Sequence, residues 1–183
     1  MESSMKKILR EILSTSLYLL GVLCVIYLTI HFLGQRTQVQ GSSMEPTLST
    51  KDNLIVDKIS YRFHDPERFD VIVFQFLHEP DTFYIKRVIG LPGETVQIDE
   101  EGNIYVDDAL LKENYGKESI INPGRAIEPI TLGKDEYFVL GDNRNNSSDG
   151  RDPSVGNIKR EHIIGRAWLR IWPLDKMGFI KHR

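Results

Sequence analysis

FYIKRVIG, residues 83–90, is spaced as an extended chain would be. In a strand Tyr84, Lys86 and Val88 share one face, while Ile85, Arg87 and Ile89 share the other. β-branched and aromatic residues dominate the run, and GLPGE (90–94) closes it with a tight turn. The same texture recurs in NLIVDKI (53–59), DVIVFQF (70–76) and EYFVLGD (136–142). TVQID (95–99) and NIYVD (103–107) flank a hairpin turn at Gly102, and HIIGRAWLRIWP (162–173) reads as a strand closed by Pro173. Strands follow one another without helical patterns between them. That predicts a mainly β domain built on antiparallel sheet. The one helix expected in this part is a turn or two over 157–162, capped by Asn157. Residues 107–132 are more polar and read as an inserted loop or small subdomain.

Two adjacent cations on opposite faces of one strand pose a chemical question. If the Lys86 face is buried, desolvation disfavours the ammonium and lowers its pKa. A neutral lysine can then act as a general base, a role closed to Arg87. On a solvated face Lys86 is an ordinary surface cation. GLPGE makes a poor phosphate cradle, because no helix and no Lys-Ser/Thr pair follows it.

Upstream, residues 12–34 (ILSTSLYLLGVLCVIYLTIHFLG) hold no charged side chain, with His31 taken as neutral. Roughly 22 residues at about 1.5 Å each reach about 33 Å, enough to cross a bilayer. Lys6, Lys7 and Arg10 precede the run and mark the cytoplasmic side. The exit, HFLGQRTQVQG, lacks the small-x-small pair of a cleaved signal peptide. This favours an uncleaved anchor over a secretory signal or a buried core helix. The hydroxyls of Ser14, Thr15 and Ser16 can bond back to helix carbonyls. The expected organisation is a cytoplasmic N-terminus (1–11), a transmembrane anchor (12–34) and an extracytoplasmic domain (35–183). The 183 residues carry 23 Lys+Arg against 26 Asp+Glu, a net charge of −3, which argues against nucleic-acid binding. A single cysteine, Cys24, rules out an internal disulfide and a cysteine-based metal site.

Two further stretches bear on chemistry. GSSMEPTL (41–48) offers Ser42 and Ser43 in a turn stiffened by Pro46, either as a nucleophile or as a polar exit from the membrane. GDNRNNSSDGRD (141–152) has the composition of a loop. As a calcium loop it fails, since Arg144 takes the third slot and no glutamate closes it. Asp142, Arg144, Asp149 and Arg151 read as charge pairs organising the loop, with Ser147 or Ser148 free to offer a hydroxyl elsewhere. All five histidines (31, 64, 78, 162, 182) lie outside these segments, which leaves a Ser/Lys pair as the economical alternative to a Ser-His-Asp triad.

In this order and behind an anchor, the segments resemble the type I signal peptidases, membrane-bound serine proteases that remove signal peptides from exported preproteins. The small, single-anchor form of Gram-positive bacteria is the nearest in pattern. SMEPTL (43–48) matches the family's SMxPTL box, and the resemblance makes Ser43 the nucleophile. YIKRVIGLPGE (84–94) matches its strand motif and makes Lys86 the base. GDNRNNSSDGR (141–151) matches its third box. There Ser147 corresponds to the serine that orients the lysine, and Asp142, Arg144, Asp149 and Arg151, with Arg87, brace the site. Val39, Met44, Leu48, Tyr84 and Ile85 correspond to positions lining shallow apolar pockets for small residues.

The chain departs from the pattern at Gly41, where some members place an oxyanion-binding serine, at Asn145 (often Asp) and at Gly150 (often Ser). The resemblance implies cleavage after small-x-small sites by a Ser/Lys dyad, with neither cofactor nor metal. Its expected partners are exported preproteins, the lipid bilayer and the secretion machinery, and its expected place is a bacterial plasma membrane. A repressor-like Ser/Lys peptidase would carry a DNA-binding segment where the anchor stands. A mitochondrial inner-membrane peptidase is less similar, and NNSS places Asn-x-Ser sequons in the loop, awkward for a lumenal protein. A tethered binding protein with a decayed site would not be expected to keep Ser43, Lys86 and Ser147 together.

Overall fold

A computed structural model describes residues 2–79 and 81–182. The chain divides into two compact units, Met1–Gln35 and Arg36–Arg183. The first contains a single long helix, α1 (Glu2–Leu33), whose span Lys7–Val25 is long and apolar enough to cross a membrane. Leu9, Leu13, Leu17, Leu20 and Leu23 are all exposed on it. One helix hydroxyl, Thr15 Oγ1, donates to the Glu11 carbonyl at 2.9 Å, so its polarity is met within the helix.

The strands, in chain order, are β1 (Gly34–Gln38), β2 (Asn53–Asp57), β3 (Val71–Gln75), β4 (Phe83–Gly90), β5 (Thr95–Ile98), β6 (Ile104–Val106), β7 (Ala109–Leu110), β8 (Ile130–Thr131), β9 (Glu136–Leu140), β10 (Ile158–Lys159), β11 (Ile163–Trp172) and β12 (Gly178–Phe179). They form a mainly antiparallel β domain, as the sequence pattern predicts. The larger sheet runs β1-β2-β11-β3-β4-β9-β10, with β12 added to β11. A smaller sheet, β7-β6-β5-β8, carries the hairpin at Gly102 and takes in part of the polar stretch 107–132.

Register fixes what each strand presents. In the β3–β4 pair Ile72 lies opposite Lys86 and Val71 opposite Arg87, so the two cations of FYIKRVIG point to opposite faces. Both faces are covered. Ile72, Phe74, Val88, Tyr137 and Val139 fill one cluster, Val39, Met44, Leu48, Leu54, Val71 and Ala167 a second. A third joins the smaller sheet to the larger through Ile89, Val96, Ile98, Phe138 and Leu140. Each buried Val, Leu, Ile, Met or Phe among them contributes about 1.5–3 kcal/mol on burial.

The helix expected over 157–162 is not formed. Ile158–Lys159 is a short strand paired with β9, followed by a single 3₁₀ turn at Arg160–His162. Asn157 does not cap it, because distant residues occupy its amide. Asn157 Nδ2 donates to Glu136 Oε2 at 2.8 Å, and its Oδ1 accepts from Arg125 Nη2.

Candidate active site

The turn at residues 41–49 is pinned from below by Met44 and Leu48, 1% and 0% exposed, and closed by the Leu48 amide donating to the Met44 carbonyl at 2.8 Å. With those anchors sunk, Ser43 stands beside β4. Lys86 Nζ lies 2.8 Å from Ser43 Oγ and donates to the Ile85 carbonyl at 3.1 Å. Lys86 is 4% exposed, and its amine faces the Tyr84 ring at 5.1 Å from the centroid. Burial lowers its pKa from 10.5 to about 8, against the opposing pull of the Asp149 and Asp142 carboxylates. A substantial fraction of the amine is therefore neutral near pH 8.

Ser42, the other serine of the pair, is held differently. Its hydroxyl accepts from Asn146 Nδ2 at 2.9 Å and its carbonyl from Asn143 Nδ2 at 3.1 Å. The Asn143 amide also donates to the Ser43 carbonyl at 3.0 Å, so the 141–152 loop grips the serine turn through two successive carbonyls. Asn143 is buried in this role, which the sequence does not reveal because there it is one turn-former among many. Thr47, within the SMEPTL motif, donates its hydroxyl to Asp142 Oδ2 at 2.5 Å, a role its motif does not announce.

The four charged loop residues and Arg87 come together, Arg87 and Arg151 each in a buried pair with an aspartate and Arg144 beside them. Arg87 Nε and Nη2 reach the two oxygens of Asp142 at 2.9 and 2.7 Å. Arg151 Nε and Nη2 reach those of Asp149, both at 2.9 Å. Asp149 also accepts the Gly141 amide, and Arg144 closes the loop by donating to the Gly141 carbonyl while pairing with Glu113 at 2.8 Å. Such bidentate pairs are directional as well as strong.

Ser147 does not follow the expectation. Among the described residues its buried hydroxyl has no hydrogen-bond partner, and the second contact of the Lys86 amine is the Ile85 carbonyl instead. Backbone crowding explains where it sits. A Cβ on Gly141 would lie 2.2 Å from Ser147 Oγ and 2.5 Å from the Ser43 carbonyl oxygen, so the loop reaches the serine turn only because residue 141 is glycine. The Gly150 departure has a similar reason: a Cβ there would lie 2.8 Å from the Val139 carbonyl oxygen.

Asn145 uses both halves of its amide. Its Oδ1 accepts the Ile121 amide at 2.9 Å, and its Nδ2 donates to the Ser119 carbonyl at 2.9 Å. An aspartate can only accept, and its second oxygen would face that carbonyl. Asn145→Asp should therefore lower stability by about 1 kcal/mol, read as a fall of about 2–4 °C in melting temperature. An unchanged melting temperature would show the amide bonds to be dispensable.

A cleft of about 420 Å³ opens beside the pair, lined by Val39, Met44, Tyr84 and Ile85, with Asp81 and Thr82 on its wall. Leu48 is corrected: it is fully buried in the cluster with Leu54 and Val71 and does not line the cleft. Among the described residues no group of three or more His, Cys, Asp or Glu side chains is disposed to hold a metal ion.

The family described as signal peptidase, peptidase S26, matches residues 10–172. A probable signal peptidase I-2 from Synechocystis sp. is 41% identical over 157 residues, spanning 81% of this chain and 68% of its own. Signal peptidase I P from Bacillus subtilis subsp. natto is 36% identical over 170 residues, 89% of this chain and 90% of its own. A crystal structure of a signal peptidase I from Enterococcus faecalis overlaps 56% of this chain and 97% of its own, at 30% identity and a TM-score of 0.47.

Proposed function

Because the chain belongs to the signal peptidase family, peptidase S26, we propose that it is a membrane-bound serine endopeptidase that removes signal peptides from exported preproteins. The observation that carries this reading is the 2.8 Å approach of Ser43 Oγ to a buried lysine amine whose pKa is lowered to about 8. Few structural needs explain a lysine sunk beside a serine, whereas a nucleophile needs a neutral base at that distance.

In this reading the Ser43 hydroxyl proton passes to neutral Lys86 as Oγ bonds to the carbonyl carbon of the scissile peptide. The resulting oxyanion is held by the Ser43 backbone amide, since Gly41 has no side chain to offer. The C–N bond then breaks, the lysine proton goes to the departing amine, and the signal peptide stays as an ester on Ser43. Lys86 next takes a proton from water, whose oxygen attacks the ester carbonyl and releases the signal peptide. In this reading Ser147 has the part that the resemblance gives it, reorienting the amine between the two steps.

The cleft lined by Val39, Met44, Tyr84 and Ile85 suits small apolar residues ahead of the scissile bond. The long apolar helix with Lys6, Lys7 and Arg10 at its start supports a single-pass anchor with a cytoplasmic N-terminus and the domain on the extracytoplasmic face. Beside the emerging preprotein, association with the secretion machinery follows.

The test is cleavage of a purified preprotein with an Ala-x-Ala site by the full chain in detergent. The unmodified chain should cut after the second alanine, and Ser43→Ala should lose at least about 10³-fold in rate. Equal cutting by the two would remove Ser43 from the chemistry.

A further inference from the structure

The family match ends at residue 172, yet the chain beyond it returns to the site. After β12 pairs with β11, the Ile180 amide donates to the Trp168 carbonyl at 2.9 Å, and the next contacts inward are made by the Ile180 side chain, the Lys181 carbonyl and the His182 ring, the Lys181 side chain staying exposed. Ile180 is 5% exposed and packs in the cluster that holds Met44 and Leu48, the two anchors of the serine turn. The Lys181 carbonyl accepts from Arg87 Nη1 at 3.1 Å. His182 Nδ1 accepts the Val71 amide at 3.0 Å, and Val71 is the register partner of Arg87.

The Lys181 contact completes a count. Arg87 has five N–H donors, and five acceptors meet them: Asp142 Oδ1 and Oδ2, the Phe69 carbonyl at 2.8 Å, Thr47 Oγ1 at 3.4 Å and the Lys181 carbonyl. The guanidinium is fully buried, so a donor left without an acceptor is costly and the ion would tilt to find another. Asp142 would move with it, and the next residue, Asn143, holds the Ser43 carbonyl. The accepting state of His182 Nδ1 also puts the ring proton on Nε2, which is buried. Asp70 Oδ1 lies 3.4 Å from the same Nδ1.

We propose that residues 180–182 are a positioning segment, which holds Ser43 opposite Lys86 from behind without touching substrate. Ile180 sets the depth of the serine turn through Met44, while Lys181 and His182 fix the orientation of Arg87 and of the strand opposite it. This rests on the peptidase reading above.

The test compares the full chain with one ending at Phe179, and His182→Leu with His182→Asn, in detergent on the Ala-x-Ala preprotein. The shortened chain should lose about 10²-fold in kcat with KM within about threefold, as expected for misplacement rather than lost binding. His182→Leu, which strands the Val71 amide, should lose about tenfold in kcat. His182→Asn, whose amide oxygen can accept that amide, should keep kcat close to that of the unmodified chain. If the shortened chain does not fold, the two His182 variants decide. Variants that melt lower yet retain the full kcat would overturn the proposal, leaving the segment a structural one. Failure of the unmodified chain to cut is a different outcome, which defeats the peptidase reading and the proposal with it.

Discussion

Replacing Lys86 by methionine should abolish cleavage and at the same time raise the melting temperature at pH 7. Loss of the general base should cost about 10²–10⁴-fold in rate. The stability gain follows from linkage. The lysine pKa falls from 10.5 to about 8 on folding because burial penalises the ammonium. Between those two values the unfolded chain binds more protons than the folded one, so stability rises with pH across the window. Below pH 8 the folded protein carries the whole penalty, about 3 kcal/mol at about 1.4 kcal/mol per pH unit. Methionine fills a similar volume and carries none of it. After allowance for the lost bonds to Ser43 and Ile85, a net gain of about 1–2 kcal/mol is expected at pH 7, or a few degrees. The gain should shrink as pH rises from 8 to 10.5. In the unmodified chain the cleavage rate should climb about tenfold per pH unit below 8 and level off above it. A gain independent of pH, or a rate flat from pH 6 to 10, would mean that Lys86 is not the titrating base.

That prediction rests on something the sequence could only pose as a condition. The alternation of FYIKRVIG shows that Lys86 and Arg87 point to opposite faces, but not that both faces are covered. Coverage depends on β9, β11 and the 141–152 loop, all far away in sequence. Strand locations were legible because β-branched alternation and Gly/Pro turns are local signals. The failure at 157–162 is the reverse case, in which a good local cap was overridden by Arg125 and Glu136 reaching the Asn157 amide. In the site, motif order was enough to bring Ser43, Lys86 and the four charged loop residues together. The Ser147 hydroxyl depends on a rotamer and on the approach of Gly141, and neither is written in a motif. Asn143 was invisible for a related reason. Its two bonds to the serine turn exist only once Asn143 has met Ser42 and Ser43, far back along the chain.

Removing the Asp142 carboxylate should be the most damaging single change to stability. Asp142 and Arg87 are both fully buried, joined at 2.9 and 2.7 Å, with the Tyr115 ring 3.7 Å from the guanidinium carbon. Asp142→Ala leaves a buried cation without its counter-ion, a loss of about 3–5 kcal/mol against a total of about 5–15 kcal/mol. Melting should fall by about 6–20 °C. The same principle makes the pair replaceable as a unit, since two apolar side chains of similar volume avoid the desolvation that the ions suffer. Arg87→Met combined with Asp142→Leu should therefore melt well above Asp142→Ala, with a coupling energy of about 2 kcal/mol or more. Activity should not return with it. The ion pair fixes direction as well as filling space, and the Gly141–Asn143 backbone that grips Ser43 takes its orientation from that carboxylate. A double variant restored in both stability and cleavage would show the pair to be packing alone. One restored only in stability would show that a buried charge pair, costly in itself, is kept here for the geometry it imposes on the nucleophile.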